Sequence, residues 1–133
     1  MSELKNQISQ FIDTNAKIYQ DISLAIHAKP EVSDFEYFAS QTLSEQLKKE
    51  GFEIELPAAG HRTGFAATYK SNKPGLTVVF LAEYDALAGL GHGCGHNVFG
   101  ATSSLAGAAL KSVVDQIGGE VRVYGTPGEE GGQ

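Results

Sequence analysis

The chain has 133 residues, 41% hydrophobic and 20% charged, with a formal net charge of −6, which suits a single globular core rather than a disordered chain. Its lysines stand singly or in pairs, so no basic stripe offers itself to nucleic-acid phosphates. The opening Met1-Ser-Glu-Leu-Lys5 lacks the basic-then-apolar pattern of a secretory signal, and no run approaches the ~20 apolar residues of a membrane span; a soluble cytoplasmic protein is expected.

From Leu4, the residues Ile8, Phe11, Ile12, Tyr19, Ile22 and Ile26 recur at helical spacing and predict a first helix ending before Pro30. Ser33 followed by Glu36 forms a capping-box pattern for a second helix. Its apolar stripe is Phe35, Phe38, Ala39, Leu43 and Leu47, closed by Lys48, Lys49 and Gly51. Phe52, Ile54 and Leu56, then Phe65, Ala67 and Tyr69, alternate with other residues as strands with one solvated face do, and are expected towards the sheet edge. Leu76 to Ala82 is nearly continuous in apolar residues, the pattern of a central strand covered on both faces. Asn97 is a candidate cap for a long segment rich in small residues, Ala101 to Val114, that would approach the sheet closely and end at Gly118-Gly119. A last strand, Glu120 to Gly125, stops at Thr126-Pro127. Interleaved helices and strands give an α/β fold class, with no internal repeat and no linker.

In open α/β sheets ligands bind beyond the carboxyl ends of the strands, and the unusual residues fall there. Glu83, Tyr84 and Asp85 follow the apolar strand, Gly91-His-Gly-Cys-Gly-His96 follows them, and Gly128-Glu-Glu-Gly131 follows the last strand. Cys94 and His96 offer a thiolate and an imidazole in a loop whose glycines permit tight turns. A helix start at Asn97 would favour the thiolate. The plainer alternative is a glycine loop with a packed cysteine and a surface histidine. Glu129 and Glu130, pointing to opposite sides of an extended segment, would let one bind metal while the other handles a proton; on their own, between glycines, they read more readily as a solvated loop. Asp85 is placed either to accept the second ring proton of a ligand histidine or to cap a turn. His27 and His61 have no clustered partner, and Gly125-Thr-Pro-Gly lacks the Gly-Lys-Ser/Thr of a phosphate loop.

Taken together, Phe80-Leu-Ala-Glu-Tyr-Asp-Ala-Leu87, Gly91-His-Gly-Cys-Gly-His-Asn97 and Gly125-Thr-Pro-Gly-Glu-Glu-Gly-Gly132 resemble the aminoacylase/carboxypeptidase family of dinuclear metallopeptidases. The resemblance is closest to its N-acyl-amino-acid amidohydrolase branch, that of p-aminobenzoyl-glutamate and auxin-conjugate hydrolases. It implies a mostly parallel twisted sheet flanked by helices, and two divalent ions, zinc or manganese. By the resemblance Cys94 bridges the ions, His96 and Glu130 are further ligands, Glu129 is the general base and acid, and Asp85 holds a ligand from behind. The substrate implied is a small N-acyl amino acid, and the full-length form a homodimer. Glu83 stands where many relatives carry aspartate or histidine, and His92 has no assigned role.

Relatives of this kind are several times longer, so residues 1–133 are read as an N-terminal portion of the catalytic domain. Such a portion is expected to bind metal weakly, to hydrolyse nothing appreciable and to leave an apolar side of the sheet exposed. Two other readings compete: a short non-catalytic binding or assembly module, and an amidase using Cys94 as nucleophile with His96 as base, which residues two apart in one loop seldom achieve.

Overall fold

The computed structural model describes residues 2–131; Met1, Gly132 and Gln133 lie outside the described residues, so the opening residue and the close of the last motif are not placed. The elements run α1 (Ser2–Ala28), α2 (Tyr37–Lys49), β1 (Glu53–Glu55), β2 (Phe65–Lys70), β3 (Thr77–Ala82), α3 (His96–Ile117) and β4 (Glu120–Gly125). The strands form one sheet in the order β1-β2-β4-β3. The α/β class holds, but the sheet is mixed: β3 and β4 are parallel, whereas β1–β2 and β2–β4 are antiparallel.

The helical periodicities place the core. Tyr19 and Ile26 of α1 are buried, with the Tyr19 hydroxyl donating to Glu50 Oε2 at 2.8 Å. Ala39, Leu43 and Leu47 of α2 join Ala108 and Val114 of α3 against Phe65, Ala67, Val121 and Val123 of the sheet. α3 lies on β3 and β4, α2 on β1 and β2, and α1 packs across α3. Gly107 lets α3 settle this closely, because a β-carbon there would collide with the Val123 side chain. None of the described helices is long and apolar enough to cross a membrane.

Three local expectations are corrected. The Ser33/Glu36 capping box does not form: Glu36 occupies the N-cap without a side-chain cap bond, and both side chains turn inward to partners far along the chain. The first turn of α2 is capped instead by Glu31, whose carboxylate accepts from the Phe38 and Ala39 amides at 2.9 and 3.0 Å. Asn97 does not cap α3 either; Gly95 holds the N-cap in the left-handed region, φ 79, and the Asn97 amide donates to the Ser23 hydroxyl of α1 at 3.1 Å.

The third correction concerns β3. Its apolar run is not central: among the described residues it is an edge strand, while β2, expected near the edge, lies inside. Of this strand only Phe80 and Ala82 join the core, and Leu76 and Leu81 are 83% and 51% exposed. Apolar character on both faces is therefore present without a second covering layer among the described residues.

Candidate metal centre

Parallel pairing of Ala82 with Gly125 sets the carboxyl ends of β3 and β4 side by side, so the loops that leave them meet. The first loop is steadied by a parallel bridge between Val32 and Ala86, with the Ala86 amide donating to Glu31 O at 2.8 Å. This brings Ser33 to Asp85, and its hydroxyl donates to Asp85 Oδ2 at 2.9 Å. The second loop turns at Gly128, φ 77, and the Glu130 amide donates to the same Asp85 Oδ2 at 2.8 Å. A buried aspartate thus joins the α2 approach to both strand-end loops.

His96 stands at the focus, in the first turn of α3 and nearly buried. Its Nδ1 lies 2.8 Å from Asp85 Oδ1 and 3.1 Å from the Asp85 carbonyl. Both are acceptors, so Nδ1 carries the hydrogen and Nε2 of the neutral ring presents a lone pair. That lone pair looks onto carboxylate oxygens: Glu83 Oε2 at 3.0 Å, Glu130 Oε1 at 3.7 Å and Glu129 Oε2 at 3.8 Å. Ligand atoms of Glu83, His96 and Glu129 all lie within 4.8 Å of one another. Electron pairs converging this closely repel unless a positive charge sits among them, a proton or a metal cation. The donor set of imidazole and carboxylates, with a carboxylate behind the imidazole, fits a divalent ion.

The electrostatics report the same crowding. Burial works against a charged His96 ring, but the Asp85 hydrogen bond and the charges of Asp85, Glu83 and Glu130 outweigh it and raise the pKa above the ordinary 6.5. Glu83 is raised from the usual carboxylate value by burial and by its neighbours Glu129, Asp85 and Glu130, partly offset by His96. The Cys94 thiol is pushed up, chiefly by its hydrogen bond to Glu130 and with smaller contributions from burial and from Glu130, Glu129 and Asp85. Nearby carboxylates thus oppose a negative charge on Cys94.

Of the residues singled out in the sequence, Asp85, His96, Glu129 and Glu130 come together. Cys94 is exposed and stands outside the tightest cluster. Because the His96 nitrogens are engaged with Asp85 and face Glu83, the ring is not directed at Cys94 as a nucleophile's base would be. Glu83, left open by the sequence, is the nearest carboxylate to His96 Nε2. His92 packs its ring against His27, centroids 6.3 Å apart, with both ring nitrogens buried and without a hydrogen-bond partner among the described residues.

The imidazole and carboxylates at the ends of adjacent parallel strands lie where open α/β sheets bind ligands, and comparison with known proteins says what the chain resembles. The chain is 34% identical over 99% of its length to a polypeptide of the p-aminobenzoyl-glutamate hydrolase of Escherichia coli, covering 31% of that protein. An aminohydrolase from methicillin resistant Staphylococcus aureus superposes with a TM-score of 0.82 at 28% identity, over 94% of this chain and 35% of the other. A dinuclear metal binding peptidase of the M20 family from Bacillus subtilis shares the fold, with a TM-score of 0.70 at 23% identity over 89% of this chain and 36% of the other. No family model matches the sequence. Over nearly its whole length the chain resembles the aminoacylase/carboxypeptidase family of metallopeptidases, as these relatives bear out. It spans about a third of the length of the relatives it matches.

Proposed function

We propose that this chain carries part of the dinuclear metal site of an amidohydrolase that cleaves the amide bond of an N-acyl amino acid or a small peptide-like substrate. The observation that carries the reading is the His96 Nε2 lone pair, fixed by Asp85 and surrounded by the carboxylates of Glu83, Glu129 and Glu130.

Cys94, His96 and Glu130 are the ligands in this reading, with Glu83 beside them and Asp85 orienting the imidazole. Zinc or manganese would polarise the amide carbonyl and make water a better nucleophile at neutral pH. Glu129, half exposed where Glu83, Asp85 and Glu130 are more buried, is placed to take a proton from the attacking water and deliver it to the leaving amine. Serving both steps needs a carboxylate that is not locked in a hydrogen bond, and its exposure provides that. The whole protein would act in the cytoplasm, as a homodimer, on a small-molecule substrate and not on nucleic acid or membrane. A free exposed thiol at the site suits a reducing compartment.

The test is hydrolysis of a panel of N-acyl amino acids by the purified 133-residue chain supplied with zinc or manganese. No appreciable turnover is expected of the chain alone; robust turnover would refute the view that residues 1–133 are only part of the catalytic domain. A second reading, a non-catalytic binding or assembly module, draws on the exposed apolar residues of β3. It predicts a concentration-dependent oligomer whether or not metal is present.

A further inference from the structure

Among the described residues Glu36 is the one glutamate with no exposure at all, and its hydrogen bonds reach towards the candidate site. Its Oε1 accepts from Thr63 Oγ1 at 2.8 Å, and its Oε2 accepts from the backbone amide of Gly128, 92 residues further on, at 2.9 Å. Thr63 is itself buried, and its carbonyl accepts from the Tyr84 hydroxyl at 2.5 Å. The carboxylate is thus anchored on the β2 approach and linked, only through Thr63, to the residue that follows Glu83. On the other side of Glu129, the Glu130 amide is held by Asp85. Glu129 therefore lies between two backbone amides, each gripped by a buried carboxylate. Burying Glu36 raises its pKa, as does its charged neighbour Asp85, while the bonds from Thr63 and Gly128 lower it. A group buried at this cost must have its acceptors well matched to donors.

We propose that Glu36 is a positioning residue: through the Gly128 amide it fixes the turn that presents Glu129 and Glu130 to His96. The inference rests on the assignment of the site given above, but the role belongs to hydrogen bonding and reach rather than to charge. Glutamine at this position keeps the reach, with a carbonyl for the Gly128 amide and an amide group for Thr63 Oγ1. Aspartate keeps the charge but is one methylene too short to span both partners.

The experiment compares the full chain with its Glu36→Gln and Glu36→Asp variants, measuring amide hydrogen exchange by NMR and zinc affinity on the same samples. Val121 and Val123 in β4 serve as internal controls for the fold. Glu36→Gln should keep Gly128 protection within about threefold, whereas Glu36→Asp should lower it about tenfold or more with the β4 amides unchanged. Zinc affinity should fall about 10–100-fold in Glu36→Asp and hold in Glu36→Gln. Rescue by aspartate and not glutamine, equal Gly128 protection in all three proteins, or equal loss throughout β4 would each overturn the proposal. If the unaltered chain binds no zinc, the site assignment fails, while the exchange pattern still decides the role of Glu36.

Discussion

At His96 one ring nitrogen is committed to Asp85 and the other faces carboxylates, so the charge there is set by whatever occupies Nε2. Its folded pKa is raised above 6.5. In the metal-free chain the protonated ring therefore contributes stability that is full below about pH 6.5 and is lost as pH rises through the raised folded value. With metal the sign reverses, because a proton competes with the cation for the same lone pair and is displaced as pH rises. We expect the thermal midpoint with chelator present to fall from mildly acidic to mildly alkaline pH, and that with zinc to rise. His96→Asn should flatten both trends, and parallel trends in the two conditions would count against a cation at Nε2. Asp85, His96, Glu129 and Glu130 were legible in the sequence because glycine loops after two apolar strands confine them to one end of the sheet. Ser33, Glu36 and Thr63 were not. Ser33 and Glu36 form a local capping pattern, and only their partners 52 and 92 residues away in sequence show where they point.

Among the elements, the helices followed their sequence periodicity closely, and the starts of α2 and α3 departed from it. A capping box is a short-range signal, and at α2 it lost to two buried long-range bonds that take both of its side chains. Glu31 supplies the missing acceptor. Its replacement by alanine should leave the Phe38 and Ala39 amides unpaired and lower stability by ~0.5–2 kcal/mol, read as a lower denaturation midpoint at unchanged slope. A change within about 0.5 kcal/mol, as at ordinary surface positions, would show that solvent satisfies those amides as well. At α3 the signal that failed was residue type: Asn97 is a good cap in isolation, but the left-handed Gly95 ends the loop earlier. That shift is what brings His96 into the first helical turn and within reach of Asp85.

At the scale of the whole molecule, α2 and α3 cover one face of a mixed sheet and α1 packs on α3. The other face presents Val79 and Leu81, 41% and 51% exposed, beside Arg122 and Tyr124. Periodicity marked β3 as a strand covered on both sides, yet it lies at the edge; periodicity had no means of showing where the strand sits in the sheet, which depends on pairings beyond the segment itself. Apolar side chains on an edge strand favour association. Replacing Val79 and Leu81 together by lysine should reduce concentration-dependent association in sedimentation velocity, with little effect on the thermal midpoint; undiminished association would locate the contact elsewhere. The loops beyond β3 and β4 form a cation site around His96 in this reading, and isothermal titration of zinc into the purified chain and into its His96→Asn variant tests it. Measurable binding to the chain is expected, abolished or weakened by about two or more orders of magnitude in the variant, since about 3 kcal/mol or more of ligand energy is lost. Absence of binding to the chain, or equal binding to both proteins, would contradict it.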